Sequence, residues 1–338
     1  MRKPTFPACL AAAVLAAAPA LAATLDEVRA RGELICGVNA GLTGFAVEDA
    51  NENWVGFDAD LCRAVAAAVL GDPARARFQA ISGQDRFAAL ASGAVDLIVR
   101  DSAAVFSADA GSAVDFPAIT YYDGQGFMVK KEMAVASAKE LFNAEICIRP
   151  GSPAQANLDA FFKANNLTYQ PVEVKDDAEA QRKYLEGDCA VLSTDVASLA
   201  AVRAGTMGSE NHVLLPEIIS KEPFGPAVRH GDDQWGDIIR WTVNALLIAE
   251  EKGITRANIE EVAASSADPE VRRLLGLEGG MGAMFGLDND WARRALAASG
   301  NYGEIFEANI GSSTPIGLAR GLNALWTQGG LQYAWPMR

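Results

Sequence analysis

The sequence predicts an α/β fold in which two α/β lobes enclose a ligand cleft. Strand-like and helix-like segments alternate along two separate stretches, residues 33–99 and 144–193, and this alternation favours two mainly parallel sheets. A strand-like run at Thr120–Lys130 and return strands near residues 212–228 would connect the two units. Paired units of this kind bind small molecules in the cleft between them.

The first unit is predicted from apolar strands that alternate with helical patterns. Its strands are Glu33–Val38, Arg77–Ile81 and Val95–Val99. Its helices are Leu25–Arg31, a helix capped by Asp58, and Asp85–Ala91. In the helix after Asp58, the apolar positions Leu61, Val65 and Ala68 recur at helical spacing.

The second unit repeats this alternation, and a helical region follows it. Strands are expected at residues 144–148, 171–174 and 189–193, with helices at 153–164 and 177–185. After residue 232 the pattern is helical, at residues 235–251, 256–263, 269–275 and 289–299. Ligands bind at the carboxyl ends of strands in open α/β sheets. The candidate site loops are therefore residues 39–45, 100–104, 150–154 and 195–198.

The N-terminus has the pattern of a secretory signal peptide. Arg2 and Lys3 precede an apolar run, which ends in the small-residue cleavage pattern Ala20-Leu21-Ala22. The run is shorter than the roughly 20 residues of a spanning helix, although an uncleaved membrane anchor is the alternative. We predict residues 1–23 as a signal peptide and the mature chain as exported.

The charge balance limits the classes of partner. The chain carries 29 basic and 43 acidic residues, a formal net charge of −14, which argues against nucleic acid or anionic lipid. An acidic ligand is still compatible, because a few buried arginines can set the local field. With only two histidines and no C-x-x-C pair, no metal and no cofactor are expected.

Four cysteines follow the predicted signal peptide: Cys36, Cys62, Cys147 and Cys189. An even number in an oxidising compartment indicates disulfides, and four cysteines allow three pairings. We favour Cys36–Cys62 with Cys147–Cys189, because each pair then lies within one lobe. Each bridge would stabilise its lobe by roughly 3–4 kcal/mol.

Long blocks of the sequence resemble one family. Among them are RGELICGVNAGLTGF, WVGFDADLCRAVAAAVLGD, YYDGQGFMVKK and NYGEIFEANIG. Together with further blocks up to Arg338, they resemble the general L-amino-acid-binding proteins of ABC importers, in solute-binding protein family 3. Members serve the uptake of glutamate, glutamine, aspartate and asparagine.

The resemblance implies a periplasmic binding protein of type II. Residues 24–124 and 222–338 would then form the first lobe, with a helical C-terminal extension, and residues 125–221 the second. The lobes would close by hinge bending near Gly124–Phe127 and Ile219–Phe224. A periplasmic monomer that delivers an amino acid to an inner-membrane permease is the implied function.

The resemblance also implies a set of ligand-binding residues. Asp195 stands where the family binds the ligand's amino group, and Arg86 resembles an arginine that meets acidic side chains in some relatives. Arg100 is a second candidate cation, and Phe45 and Tyr122 could pack on the aliphatic part. The full predicted set is Asn39, Phe45, Arg86, Arg100, Asp101, Ser102, Tyr122, Ser152 and Asp195.

Three positions depart from the family pattern. Ala108 stands where relatives have the arginine that binds the α-carboxylate. Ala103 lies in a stretch where relatives have threonines. Pro153 follows Ser152 in place of a threonine and has no N–H to donate. Either another cation substitutes, or the ligand is held in another way.

Three alternatives remain open from the sequence alone, the first of them within the transport class itself. The first is a paralogue that binds a different small polar solute, because Ala108 replaces the usual arginine. The second is a dehydratase-like enzyme on the same fold, with Asp101 or Asp195 as acid or base. No G-x-S-x-G or H-E-x-x-H motif is present, so we do not expect an enzyme. A sensory binder that docks on a receptor is the third.

Overall fold

The computed structural model describes residues 23–39 and 41–338, so the predicted signal peptide, up to residue 22, lies outside the described part. In the described residues, no helix combines the length and the apolar character that a membrane crossing requires.

The first lobe opens with a small parallel sheet flanked by helices. Its elements up to the first crossover are α1 (Thr24–Arg31), β1 (Leu34–Val38), β2 (Val47–Glu48), β3 (Trp54–Val55), α2 (Phe57–Leu70), β4 (Ala76–Ala80), α3 (Arg86–Ala91), β5 (Leu97–Ile98), α4 (Phe106–Asp109), β6 (Val114–Asp115) and β7 (Tyr121–Asp123). The strand order is β4-β1-β5, with both pairs parallel. The three strands predicted for this lobe are therefore present.

The second lobe contains a five-stranded mixed sheet. Its elements are β8 (Met128–Lys130), β9 (Ala144–Ile148), α5 (Pro153–Ala164), β10 (Tyr169–Glu173), α6 (Asp177–Glu186), β11 (Val191–Leu192), α7 (Val196–Gly205) and β12 (His212–Leu214). The order is β10-β9-β11-β8-β12, in which β8 runs antiparallel to both of its neighbours. Two apolar clusters fill this lobe, one on each side of the sheet, because neighbouring residues of one strand, such as Met128 and Val129, belong to different clusters.

The chain then returns to the first lobe. The returning elements are β13 (Glu222–Phe224), β14 (Val228–Arg229), α8 (Asp233–Glu251), α9 (Ile259–Ser265), α10 (Pro269–Leu274), α11 (Trp291–Ser299) and α12 (Tyr302–Asn309). One apolar core joins residues from Leu25 through Tyr121 to residues from Phe224 through Met337, and it also includes Ala197, Ala200 and Ala201 of α7. Helices α2, α8 and α11 pack against one another in this core.

Two antiparallel strands cross between the lobes. The outgoing strand β7 pairs with the returning strand β13, with Tyr121 opposite Phe224 and Asp123 opposite Glu222. Gly124 follows β7 at a close approach, because a Cβ atom there would lie 2.5 Å from the Ser220 carbonyl oxygen. The predicted hinge segments lie at this paired crossover.

The predicted disulfide pairing is confirmed. Cys36 joins Cys62, tying β1 to α2, and Cys147 joins Cys189, tying β9 to the turn before β11. Both bridges are buried and each lies within one lobe. They therefore constrain the strands that lead into the candidate site loops.

Replacing both Cys147 and Cys189 with alanine should lower the free energy of unfolding by about 4 kcal/mol. The bridge spans 42 residues, and cross-linking a loop of that length removes much of the entropy of the unfolded chain. The matched variant without the 26-residue Cys36–Cys62 bridge should lose slightly less, about 3.5 kcal/mol. Urea unfolding of the two variants measures this, and unchanged midpoints would contradict it.

Candidate ligand-binding site

The candidate site lies where the first lobe meets the crossover strands. A small cavity there is lined by side chains from the loop after β1, the start of α2, the end of β5 and the two crossover strands. Its lining includes Phe45, Asp58, Arg100, Asp101, Tyr121 and Phe224. Loops after parallel strands thus supply charged groups, while the crossover supplies aromatic walls.

Two arginines converge on one glycine beside this cavity. A Cβ atom at Gly83 would lie 3.4 Å from Nη1 of Arg86 and 3.4 Å from Nη1 of Arg100, so both guanidinium groups flank the same backbone. Arg100 is only 9% exposed, and the Nε atoms of both arginines are buried without a hydrogen-bond partner. Burial, followed by the neighbouring Arg100 charge, lowers the pKa of Arg86. Two neighbouring guanidinium groups, a buried one from Arg100 and a half-buried one from Arg86, favour an anionic ligand.

Asp101 lies beside this pair and is held by two neighbours. Asn39 Nδ2 donates to Asp101 Oδ1 at 2.9 Å, and Arg100 Nη2 lies 3.2 Å from the same oxygen. The next residue, Ser102, is buried, and its hydroxyl has no partner. The structure therefore brings Asn39, Arg100 and Asp101 together, while Ser102 points into the protein beside them.

Asp58 has a different role from the one that the sequence suggested. Helix α2 begins one residue earlier, at Phe57, and follows Gly56, where a Cβ atom would lie 2.2 Å from the Phe45 carbonyl oxygen. The tight turn directs Asp58 inward, where it is 5% exposed, makes no capping bond and leaves Oδ2 unpartnered. Burial and then the Asp101 charge raise the pKa of Asp58 well above its usual value. The capping prediction was wrong for this residue.

Asp195 lies at the start of α7 but does not cap it. The cap comes from the crossover strand, because Asp123 Oδ2 accepts from the backbone N–H of Ala197 at 3.0 Å. Burial, and then the charges of Asp123, Glu222 and Asp101, raise the pKa of Asp195 well above its usual value. The carboxylate of Asp195 therefore does not cap the helix, and it lies among other acidic groups. This environment favours a cationic ligand group.

The remaining predicted residues serve mainly structural contacts. Phe45 packs edge-on against Phe57 and Tyr121 in the core, although it also lines the cavity. Tyr121 rather than Tyr122 lines the cavity, since neighbouring strand residues face opposite ways. Ser152 caps α5, accepting from Gln155 N at 3.2 Å and donating to the Arg149 carbonyl at 2.7 Å.

Gln125 was not predicted from the sequence but organises the second-lobe side of the crossover. Its Nε2 donates to Ser193 Oγ at 3.0 Å and to the Ala154 carbonyl at 3.1 Å, and its Oε1 accepts from Asn157 at 3.0 Å. It thereby connects the outgoing crossover to the first turns of α5 and to the strand end that leads to Asp195. No pattern of the sequence marked it, because a buried glutamine has no periodic signal.

The sequence profile of the bacterial extracellular solute-binding proteins, family 3, matches residues 34–253. The chain belongs to this family. It is 60% identical, over the full length of both chains, to the glutamate/glutamine/aspartate/asparagine-binding protein BztA of Rhodobacter capsulatus. It is 48% identical, again over both full lengths, to the general L-amino acid-binding periplasmic protein AapJ of Rhizobium johnstonii.

A solved structure has the same fold over nearly the whole length of this chain. It is an ABC transporter periplasmic binding protein from Brucella ovis with glutathione bound, 48% identical, with a TM-score of 0.89. The match covers 94% of this chain and all of the other. The type II periplasmic binding protein fold predicted from the sequence is confirmed, as is the family.

In this solute-binding protein, the position expected for the carboxylate-binding arginine cannot hold a ligand charge. Ala108 is 6% exposed and lies within the short helix α4. On the second lobe, Pro153 is the first residue of α5 and brings no N–H to the helix start. The cations that the structure places beside the cavity are Arg86 and Arg100.

Proposed function

We propose that this protein captures an amino acid in the periplasm and delivers it to an inner-membrane ABC permease. Its relatives BztA and AapJ carry names of amino-acid-binding proteins and match along their whole length. The acidic balance of the chain is compatible with a freely diffusing carrier of small solutes. We expect it to act as a monomer and without catalysis.

The observation that carries this proposal is the layout of charge around the crossover. The carboxylate of Asp195, on the second lobe, forms no capping bond to α7. On the first lobe, the guanidinium groups of Arg86 and Arg100 have unpartnered Nε atoms. Opposite charges on facing lobes match the ammonium and carboxylate of a zwitterion. A ligand that contacts both lobes would draw them together and shift the equilibrium towards the closed form.

In this binding mode the arginine pair replaces the missing cation at position 108. A carboxylate between two guanidinium groups forms charge-assisted hydrogen bonds, which are about twice as strong as neutral ones. Asp101 already neutralises part of Arg100, so Arg86 supplies most of the free positive charge. The carboxylate of the ligand therefore lies beside Gly83, next to the two guanidinium groups that flank this residue.

The test is a thermal-shift screen of the mature protein after unfolding and refolding to remove bound ligand. Glutamate, glutamine, aspartate, asparagine and glutathione form the first panel, with dicarboxylates and polyamines as the comparison. A shift of several degrees with at least one amino acid, confirmed by calorimetry, supports the proposal. Shifts confined to solutes without an amino acid group would refute it and favour a different polar ligand.

Stability should fall as the pH rises from about 4 to about 7. Burial raises the pKa of Asp123 to about 7, so in this window the folded protein holds a proton that the unfolded chain has released. The shift lowers the free energy of unfolding by at most about 4 kcal/mol, and the full loss is reached above the pKa of the folded protein. Thermal unfolding of the ligand-free protein against pH measures it. Asp123→Asn keeps an acceptor for α7 and should make the profile less steep, while Asp58 and Asp195 contribute the remaining slope. An unaltered slope would contradict the assignment.

A further inference from the structure

The outgoing crossover strand β7 is bonded on both of its edges. On one edge it pairs with β13, where Tyr122 lies opposite Pro223. On the other edge, the Tyr122 N–H donates to Asn323 Oδ1 at 2.6 Å, and Asn323 Nδ2 donates back to the Tyr122 carbonyl at 3.0 Å. A single side-chain amide thus takes the place of a neighbouring strand.

A second buried contact holds the residue before the strand. The Thr120 carbonyl accepts from the Tyr302 hydroxyl at 2.9 Å and from Gln332 Nε2 at 3.3 Å, and Gln332 also contacts the Tyr302 hydroxyl at 3.2 Å. Tyr302, Asn323 and Gln332 are all less than 5% exposed. We call these three residues the C-terminal brace. They replace water at the backbone of the crossover, so their loss would leave buried polar groups unpaired.

The brace is itself fixed to the first lobe. Arg320 forms a two-point ion pair with Glu250 of α8, at 2.9 and 3.1 Å, and donates to the Asn323 carbonyl at 3.0 and 3.1 Å. The Arg320 guanidinium also lies over the rings of Tyr302 and Phe306, 5.1 and 5.0 Å from their centroids. The brace is therefore linked to the long helix α8 by an ion pair and hydrogen bonds through Arg320.

The brace lies outside the part of the chain that defines the family. The family profile ends at residue 253, whereas the three brace residues come from the C-terminal extension. Two residues beyond Tyr122 the chain reaches Gly124, and at Gln125 it bonds to the second lobe. The partners of the crossover residues thus change from first-lobe to second-lobe residues within this short stretch.

We propose that the C-terminal brace fixes the first-lobe end of the hinge at Tyr122 and thereby sets the open–closed equilibrium and the ligand affinity. Without the Asn323 bonds, the flexible segment would extend back along β7, and more open arrangements of the lobes would become populated. The apparent affinity falls by the fraction of molecules that are competent to close. Asn323 is accordingly a positioning residue, and the statement about affinity rests on the proposed function.

The test compares Asn323→Ala with Asn309→Ala in the mature protein. Asn309 is a matched control, because its amide also ties extension to core, donating to Asp60 at 2.8 Å and to Ile305 at 2.9 Å, without contact with β7. Amide hydrogen exchange over residues 119–126 should be at least tenfold faster in Asn323→Ala only. Its radius of gyration without ligand should rise, and its Kd for the best amino acid should weaken about fivefold or more.

Asn323→Asp gives the graded arm of the experiment. It retains an acceptor for the Tyr122 N–H but cannot donate to the Tyr122 carbonyl, so exchange and affinity should lie between wild type and Asn323→Ala. Unchanged exchange over residues 119–126, or a loss of affinity equal to that of Asn309→Ala, would overturn the proposal. If no amino acid binds the wild-type protein, the proposed function fails, while the exchange and scattering measurements still decide the role of the brace.

Discussion

Replacing Asp195 with asparagine should weaken amino-acid binding at least a hundredfold while leaving the fold intact. The substitution removes the negative charge that we assign to the ligand's ammonium group, and loss of such a buried charge pair costs roughly 3–5 kcal/mol. Helix α7 should be unaffected, because its capping oxygen belongs to Asp123. Isothermal titration calorimetry measures the affinity, and thermal unfolding measures the fold.

The ligand-free Asp195→Asn protein should be slightly more stable than wild type. Burial and neighbouring carboxylates raise the pKa of Asp195, so its charged form is unfavourable until a cation binds. Asp176→Asn is the matched control, since Asp176 begins a helix of the same lobe and its side chain does accept from Glu179 N at 2.8 Å. Equal affinities in wild type and Asp195→Asn would remove Asp195 from the binding site.

Local patterns of the sequence were sufficient for the elements and the covalent frame. Apolar strands that alternate with helical periodicity predicted the parallel strands β1, β4 and β5. The assumption that each cysteine pair lies within one lobe predicted both disulfides. These features depend on spacing along the chain, which a single sequence displays. The same information placed Arg100, Asp101 and Asp195 on loops after strands, whereas Arg86, in a predicted helix, was selected through the family resemblance.

The sequence could not show which aspartate caps a helix and which one is free to contact the ligand or lie buried. Asp58 and Asp195 both stand at helix starts, where an acidic residue usually caps. The cap of α7 comes from Asp123, 74 positions before the Ala197 N–H from which it accepts, and the turn at Gly56 directs Asp58 inward. Both outcomes depend on contacts between distant segments, so no local rule distinguishes a capping aspartate from a free one.

The C-terminal brace illustrates the same limit over a longer range. Asn323 bonds to a strand 201 positions earlier, and nothing in its own neighbourhood marks it as a partner of Tyr122. The choice between Tyr121 and Tyr122 as the cavity-lining aromatic depends on the register of β7 with β13. A strand of three residues carries too little alternation to fix that register in advance.

Substituting Arg86 with glutamine should reduce affinity for the amino acid at least a hundredfold with little effect on unfolding. Its guanidinium donates to the Gly83 carbonyl and stacks on Phe87, but forms no ion pair among the described residues, so the folded protein depends on it only weakly. The exposed Arg77→Gln, in a strand of the same lobe, is the control for loss of one positive charge. Calorimetry with a ligand and its α-carboxamide analogue tests whether Arg86 binds the ligand's α-carboxylate. The analogue should bind the wild-type protein weakly, and Arg86→Gln should lower its affinity little further.

Arg100→Gln should differ from Arg86→Gln by destabilising the protein as well. Arg100 pairs with Asp101 at 3.2 Å, so its removal leaves that carboxylate without its cation, at a cost of about 3 kcal/mol. Both arginines act on one carboxylate, so their effects should not add. The affinity of the double variant should be at most about tenfold lower than that of the weaker-binding single variant. Independent, additive losses would show that the two guanidinium groups contact different parts of the ligand. If neither substitution changed the affinity, the carboxylate of the ligand would bind at a separate site, and the region around Ala108 would be the next candidate.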